Sequence, residues 1–296
     1  MKSRFLDPKA LARISNLPLM ARGVVEGFIS GLHRSPFRGF SVEFAEYREY
    51  CPGDDLRHFD WRVFARNDRR VIKQYQEETN LKAYLLVDAS RSMAYGSPGV
   101  LPKYEYAGRL AACLAHLLVR QKDAVGLAVF DEEIRAFLPP RSTRVGMMNL
   151  LEALERTEPS GPTRAGAALH RVAERIKRKS LLVLLSDLFD DPAEVRKGLQ
   201  HLRHERHEVL VLHLLDPAEL DFPFQRHAGF RDMETGEEVE VHPALYRDEY
   251  RRSLKDFVAG HRKACSESRI DYQLVRTDTP FDVFLARYLS KRARLG

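Results

Sequence analysis

The chain has few cysteines, and none of them are paired in sequence. Its 296 residues include Cys51, Cys113 and Cys265, which lie far apart and form no Cys-x-x-Cys pair. An odd number of cysteines at such spacing argues against a disulfide framework and against a zinc ribbon. We therefore expect the protein to work in a reducing compartment.

Long apolar runs are missing as well. No stretch reaches the roughly 18 to 20 uninterrupted apolar residues that a membrane-spanning helix requires, and the first residues lack the apolar core of a signal peptide. We expect no membrane span and a cytoplasmic location. No internal repeat is evident. The phosphate-loop pattern Gly-x-x-x-x-Gly-Lys-Ser/Thr is also absent from the sequence, so we do not expect the chain itself to hydrolyse ATP.

The net charge is only mildly positive. The 48 lysines and arginines exceed the 42 aspartates and glutamates by six, and the isoelectric point is near 9.2. The excess is mostly arginine scattered along the whole length, which is typical of solvated helix faces. Nucleic-acid binding therefore stays a third hypothesis, because the basic residues form no stripe on one face.

The first 80 residues have the pattern of an extension. Apolar residues recur at helical spacing over residues 8–32 with a break at Pro18, which predicts two short helices. Alternating apolar residues over 39–50 and a strand-like run over 71–76 predict two strands. We expect residues 1–80 to form a helical and β-strand extension.

Residues 81–296 have the pattern of an α/β domain. Apolar strands alternate with longer helical segments, which indicates a mostly parallel, doubly wound sheet flanked by helices. The predicted strands are 83–87, 124–130, 133–138, 181–185, 209–214 and 272–275. The predicted helices are 104–121, 145–155, 165–179, 193–205, 243–268 and 281–293.

Oxygen-bearing side chains follow two of these strands. Residues 83–87 lead into Asp88-Ala89-Ser90-Arg91-Ser92, and residues 181–185 lead into Ser186-Asp187. Ligands of open α/β sheets bind beyond the carboxyl ends of the strands, and magnesium prefers oxygen ligands in octahedral geometry. A further hydroxyl, Thr163, precedes the helix predicted at 165–179 and could also cap it. The predicted metal ligands are Asp88, Ser90, Ser92, Thr163 and Asp187.

This constellation resembles the metal-ion-dependent adhesion site of von Willebrand factor A domains. The resemblance implies that Ser90, Ser92 and Thr163 donate hydroxyl oxygens and that Asp88 and Asp187 act partly through water. Few charged ligands then touch the ion, so that it seeks a carboxylate from a partner protein. The implied cofactor is Mg²⁺, or another divalent cation such as Mn²⁺ or Ca²⁺.

A longer signature precedes the site. Residues 47–61, Tyr-Arg-Glu-Tyr-Cys-Pro-Gly-Asp-Asp-Leu-Arg-His-Phe-Asp-Trp, followed by Ala65-Arg66 and by residues 73–78, resemble the bacterial domain of unknown function 58 family. The resemblance extends over about residues 39–277 and implies a von Willebrand factor A-like fold. Members are commonly encoded beside MoxR-type AAA+ ATPases, and many carry N-terminal membrane helices, which we do not expect in this chain. A non-enzymatic adaptor or co-chaperone of such an ATPase is therefore our leading hypothesis.

A metal-dependent hydrolase or phosphoryl-transfer enzyme is the second hypothesis, although Ser90 stands where a haloacid-dehalogenase-type site would have a second aspartate. The five-residue constellation could also be a degenerate site that serves only turns and caps.

Other polar residues have simpler interpretations. We interpret the charged residues between Asp54 and Arg66 as a structural ion-pair network and Trp61 as a core residue. A partner-binding surface is the alternative for this segment. His201, His204 and His207 are interpreted as part of a basic, solvated helix face rather than a zinc site.

Overall fold

The computed structural model describes residues 5, 41–51, 59–78, 81–225, 228–233 and 236–293. These residues fall into two compact units. The smaller unit contains residues 41–51 and 59–78, and the larger unit contains the rest. Phe5 is fully buried and belongs to the larger unit, where its ring packs edge-on against Tyr104 at a centroid distance of 6.5 Å. The two helices predicted within residues 8–32 lie outside the described residues.

The larger unit is built on a six-stranded sheet. Its strands are β3 (Lys82–Asp88), β4 (Ala124–Phe130), β5 (Ile134–Arg141), β6 (Leu181–Ser186), β7 (Glu208–Leu215) and β10 (Asp271–Arg276). The spatial order is β10-β7-β6-β3-β4-β5, and every neighbouring pair is parallel except β4 and β5. The mostly parallel α/β fold expected from the sequence is confirmed.

The strand order reverses beside β3. The chain passes from β3 to its neighbour β4 on one side and later returns to β6 on the other side. Such a point leaves a crevice beyond the carboxyl ends of the two strands, where ligands of open α/β sheets bind. The polar residues that follow β3 and β6 therefore lie at the expected place for a site.

Helices cover both faces of this sheet. They are α2 (Lys103–Arg120), α3 (Arg144–Arg156), α4 (Ala165–Arg175), α5 (Pro192–His204), α6 (Pro217–Asp221), α7 (Pro243–Glu267) and α8 (Phe281–Ala293). Alternate residues of β3 belong to different cores: Leu85 and Val87 pack with α2, α3 and α8, whereas Leu86 packs with α4 and α5. Burial on both faces explains why the central strands are continuous apolar runs.

Several short secondary-structure elements are not predicted from the sequence. The polypeptide forms a 3-10 helix at Arg91–Ala94, the short helix α6 and a hairpin of β8 (Ala228–Arg231) and β9 (Glu238–Val241). The helix predicted at 165–179 ends at Arg175, because Ile176 leaves helical geometry and is buried in the core. None of the helices among the described residues is both long and apolar enough to cross a membrane.

The smaller unit contains two antiparallel strands and one helix. β1 (Ser41–Glu49) pairs with β2 (Val71–Glu78), and α1 (Trp61–Asn67) lies between them in sequence. Asp60 begins α1 by accepting hydrogen bonds from the backbone N–H groups of Arg62 and Val63. The expectation that Trp61 is a core residue is wrong, since its side chain is 60% exposed and its ring lies tilted against that of Phe59. The central signature residues 52–58 lie outside the described residues.

Candidate metal centre

Asp88 stands at the end of β3 and is fully buried. Its Oδ1 accepts a hydrogen bond of 2.8 Å from the backbone N–H of Ser90, which folds the chain back as it leaves the strand. Its Oδ2 accepts a hydrogen bond of 2.6 Å from the hydroxyl of Ser186, at the end of β6. Both carboxylate oxygens are thus held by groups from the two strands that flank the crevice.

Three hydroxyl groups form a row beside this carboxylate. The Oγ atoms of Ser90 and Ser92 are 3.2 Å apart, and the Oγ of Ser92 lies 3.3 Å from the Oγ1 of Thr163. Backbone hydrogen bonds bring the two loops together: Arg91 N–H donates to the Gly161 carbonyl at 3.0 Å. Residues 71 positions apart in sequence therefore present their hydroxyls to one place.

The spacing of these hydroxyls fits a small divalent cation. Adjacent ligands of an octahedral Mg²⁺ with bonds of about 2.1 Å lie about 3.0 Å apart, close to the two observed separations. Among the described residues, no three His, Cys, Asp or Glu side chains converge to hold a metal. The groups that could bind a cation here are therefore neutral hydroxyls with carboxylates nearby. Such a set suits a hard cation that keeps part of its water shell.

Thr163 does not cap helix α4 as expected from the sequence. The N-cap residue of α4 is Arg164, and its side chain makes no hydrogen bond that caps the helix. Instead, Asp190 Oδ2 accepts a hydrogen bond of 3.0 Å from the N–H of Gly166 in the first turn. The predicted capping role of Thr163 is wrong, because its hydroxyl is turned toward Ser92 and a carboxylate from the β6–α5 loop supplies the cap.

Asp187 is fully buried and already has partners on both carboxylate oxygens. Its Oδ2 lies 2.7 Å from the ammonium of Lys103, and its Oδ1 accepts a hydrogen bond of 3.2 Å from Phe189 N–H. Its backbone carbonyl accepts a 2.8 Å hydrogen bond from Nε2 of the buried His213, whose Nδ1 is 2.6 Å from the hydroxyl of Tyr272. Burial lowers the pKa of His213 to about 3, so the ring is neutral.

The two aspartates influence each other electrostatically. Burial and, to a smaller extent, the nearby charge of Asp187 raise the pKa of Asp88, the hydrogen bonds from Ser186 and Ser90 lower it, and together they bring it to about 7. Two buried carboxylates at the carboxyl ends of neighbouring strands thus concentrate negative charge. A cation near the hydroxyl row would offset this charge.

Lys103 is the cation that pairs with Asp187. Its side chain is fully buried at the start of α2, and its ammonium also lies 2.6 Å from Glu219 Oε1 in α6. Burial lowers the pKa of Lys103, but the attraction of Asp187 and Glu219 outweighs burial and the pKa is raised overall. Lys103 is therefore a permanent ammonium between the candidate metal centre and α6.

The structure brings four of the predicted ligands into direct hydrogen-bonded contact and places the fifth beside them. Their role as metal ligands stays a prediction. Sequence reasoning missed three side chains that hold the aspartates: Ser186, Lys103 and His213. Ser186 adjoins Asp187 at a strand end and could have been found by position, whereas Lys103 and His213 carry no local signal.

The neighbouring polar residues have other roles. Asp191 caps α5 by accepting a 2.8 Å hydrogen bond from Ala193 N–H. The expectation of a solvated face is wrong for His207, which follows α5, is fully buried and contacts the backbone of Ile176 and Ser180.

Family comparison agrees with the sequence signature. The family model described as "Protein of unknown function DUF58" matches residues 46–264. The chain belongs to the DUF58 family. The DUF58 match covers all five predicted metal ligands and most of the larger unit.

Relatives of this DUF58 chain extend over nearly its whole length. An uncharacterized protein of Mycobacterium bovis is 27% identical over 294 residues, which cover 97% of this chain and 91% of the relative. An uncharacterized protein of Mycobacterium tuberculosis strain H37Rv matches to the same extent.

Solved structures resemble about three quarters of this chain. A structure described as the conserved hypothetical protein BatB from Bacteroides thetaiotaomicron has a TM-score of 0.50 at 18% identity, and covers 72% of this chain and 99% of its own. A von Willebrand factor type A structure from Catenulispora acidiphila has a TM-score of 0.44 at 13% identity, and covers 75% of this chain and 45% of its own. At these identities the likeness concerns the fold alone.

Proposed function

We propose that this DUF58 chain is a non-enzymatic protein-binding module that depends on one divalent cation. Ser90, Ser92 and Thr163 would hold Mg²⁺, or Mn²⁺ or Ca²⁺, through their hydroxyl oxygens. Asp88 and Asp187 would contact the ion through water molecules, because their carboxylate oxygens already have protein partners. When bound, the cation supplies an electrophilic position for a carboxylate of a partner protein.

The hydroxyl row is the observation that supports this proposal. Separations of 3.2 and 3.3 Å match neighbouring ligands of a small octahedral cation. Neutral ligands leave most of the positive charge of the ion uncompensated. An acidic side chain of a partner is the natural complement of such a site.

The family resemblance supports one class of partner. A MoxR-type AAA+ ATPase is the partner that this resemblance implies, with the present chain as its adaptor or co-chaperone. The chain itself has no phosphate loop, so the proposal assigns ATP hydrolysis to the partner.

The hydrolase alternative is disfavoured by the surroundings of Asp88. A nucleophilic carboxylate needs an oxygen directed at the substrate, but Asp88 Oδ1 is held by Ser90 N–H and Oδ2 by Ser186. Turnover of generic phosphate esters in Mg²⁺, lost in Asp88→Asn, would favour the enzyme instead.

The first experiment tests cation binding without any partner. Mg²⁺ and Mn²⁺ would be titrated calorimetrically into the full chain and into Ser92→Ala. The matched control is Ser160→Ala, whose hydroxyl lies in the same loop as Thr163 but contacts the Glu158 carbonyl instead. We expect binding to be lost in Ser92→Ala and kept in Ser160→Ala. Equal heats in all three proteins would contradict the proposed site.

The second experiment tests partner binding. Tagged wild-type chain and Ser92→Ala would be incubated in native lysate with Mg²⁺ or with chelator, and the captured proteins identified by mass spectrometry. Capture of an AAA+ ATPase by the wild type in Mg²⁺, and its loss in chelator and in Ser92→Ala, is the expected result. Capture that is equal in every condition would show that binding does not use the cation.

A further inference from the structure

A cavity of about 690 Å³ opens beside the candidate metal centre, and Ser92 lies in its wall. Most of the lining is apolar, and the aromatic side chains among it are Tyr95, Phe189, Phe222, Phe224, Phe230 and Tyr250. This volume is within the range of about 300–1,000 Å³ that is typical of ligand pockets. One hydroxyl therefore belongs both to the row of proposed cation ligands and to an aromatic cavity.

Phe222, Phe224 and Phe230, which lie between β7 and α7 in sequence, build the far wall of this cavity. Phe222 follows α6 in left-handed geometry, and its ring stacks on Phe230 of β8 at a centroid distance of 5.6 Å and an interplanar angle of 7°. The ring of Phe224 meets Phe230 edge-on at 5.2 Å, and Tyr250 of α7 lies 4.4 Å from Phe222. These contacts arrange the rings as a preformed wall.

Two polar links fix this wall relative to Ser92. Asp216 caps α6, and its Oδ2 accepts a 2.9 Å hydrogen bond from Ser97 N–H, a few residues after Ser92. Glu219 accepts from Lys103 at 2.6 Å through Oε1 and from Asp216 N–H at 2.8 Å through Oε2. Since Lys103 also binds Asp187, buried charged side chains link the cavity wall to the candidate metal centre.

Exposed apolar side chains extend the cavity outward. Met233, which lines it, is 38% exposed, and Val239, the β9 partner of Phe230, is 56% exposed. An apolar surface that continues beyond a cavity fits a polypeptide better than a small molecule, which would leave that rim in water.

From this geometry we infer that the cavity takes a large apolar or aromatic side chain of a partner segment, one or two residues from the carboxylate that binds at Ser92. The inference rests on the proposed function, because the carboxylate complements the proposed cation. The occupant is thus a protein segment that pairs Asp or Glu with Phe, Tyr, Trp or Leu. The carboxylate would give cation dependence, and the apolar side chain would give specificity.

Selection from displayed random seven-residue peptides tests the inference with the full chain, in Mg²⁺ and in chelator. We expect peptides with an acidic residue within two positions of a large apolar one, and only in Mg²⁺. The best peptide would then be synthesised with a fluorophore, and its Kd measured by anisotropy. Phe230→Ala should raise Kd at least about tenfold, as truncation of an aromatic contact at the centre of an interface does.

Two further variants separate loss of the cavity from loss of the fold. Gly229 lines the cavity, and a Cβ there would meet nothing within 4 Å, so Gly229→Trp should fill the cavity without removing its walls and should also weaken binding. Tyr246→Ala removes an aromatic side chain that is 52% exposed on α7 and does not line the cavity. Its Kd should stay within about twofold of the wild type.

The outcomes distinguish failure of this inference from failure of the proposed function. Acidic peptides that need Mg²⁺ but lack an apolar residue, and that ignore Gly229→Trp, would overturn the cavity and keep the cation site. Apolar peptides that bind equally in chelator and to Ser92→Ala would overturn both. A Mg²⁺-dependent dimer in sedimentation that Gly229→Trp abolishes would place a second copy of the chain in the cavity and overturn the inference, as would no enrichment of any peptide.

Discussion

The ammonium of Lys103 lies 2.7 Å from Asp187 Oδ2, and both side chains are fully shielded from water. Lys103 also contacts Glu219 at 2.6 Å, and its Nζ lies 4.8 Å from the ring centroid of Phe189. The ammonium of Lys103 therefore pairs with two carboxylates. The free-energy cost of burying each of these three charges depends on the other two.

Removal of this ammonium should destabilise the fold strongly. Lys103→Met leaves Asp187 and Glu219 without their cation, and breaking a buried pair in this way costs about 3–5 kcal/mol. The control is Lys197→Met, which removes an exposed pair of the same length with Glu194 and should leave the denaturation midpoint unchanged. Urea unfolding at neutral pH measures both. Similar midpoints for the two variants would mean that Lys103 contributes no more than a surface charge.

A second prediction concerns the serine that supports Asp88. Ser186 Oγ donates to Asp88 Oδ2 at 2.6 Å and accepts from Leu188 N–H at 2.9 Å. Ser186→Ala leaves two buried polar groups without this partner and should cost about 1–3 kcal/mol. It should also weaken Mg²⁺ binding, because Asp88 loses the contact that orients it.

The control for this substitution lies at the other end of the same strand. Ser180 immediately precedes β6, is buried and donates to the Arg178 carbonyl at 2.8 Å. Ser180→Ala should also reduce the free energy of unfolding but leave Mg²⁺ affinity unchanged. Calorimetric titration and urea unfolding of both variants check the prediction, which is contradicted by an equal change in affinity.

The sheet could be predicted from the sequence because local periodicity determines it. The strand predicted at 124–130 coincides with β4, and the strand predicted at 209–214 lies within β7. Strands buried on both faces must be apolar at every position, and this signal needs no knowledge of the partner strand. The positions of Asp88 and Asp187 follow from the strand ends.

The contacts of Lys103 could not be predicted in this way. A lysine at the start of an amphipathic helix has the pattern of a solvated residue, and Asp187 lies 84 positions away. The hairpin was missed for a different reason. β8 and β9 have four residues each, and every residue of β9 except Val241 is exposed, so only the alternation of Glu238–Val241 and the turn residue Gly236 could have indicated it.

A third prediction concerns the loop that carries Thr163. Gly161 has φ of +77°, and a Cβ there would lie 3.0 Å from Asp131 Oδ2. Gly161→Ala should therefore destabilise the protein by at least about 1–2 kcal/mol and displace the hydroxyl of Thr163 from Ser92. Mg²⁺ affinity should fall with it.

Gly99 provides the matched control for the backbone effect. Its φ is +80°, but a Cβ there would meet nothing within 4 Å. Gly99→Ala should show the backbone penalty without any change in Mg²⁺ affinity. If both variants, or neither, altered Mg²⁺ affinity, the position of the Thr163 loop would not be what determines cation binding.

The last prediction concerns the pH dependence of stability and a carboxyl group at the opposite, amino end of the parallel strands. Asp123 lies between α2 and β4 with 1% of its surface exposed, and burial raises its pKa from 3.8 to about 7. Between these values the folded state keeps a proton that the unfolded state has released. The stability contributed by Asp123 is therefore lost as pH rises from about 4 to about 7, and changes little above that.

Asp123→Asn should abolish this slope because the amide carries no charge at any of these pH values. Relative to the wild type, the free energy of unfolding of the variant should rise steadily from pH 4.5 to pH 7 and then level off. Asp248→Asn, at an exposed carboxyl on α7, should run parallel to the wild type throughout. Urea denaturation at half-unit pH intervals measures the three curves. A constant offset between Asp123→Asn and the wild type would mean that Asp123 is ionised in the folded protein over the whole range, and that the edge of the sheet near Leu81 admits more water than its burial indicates.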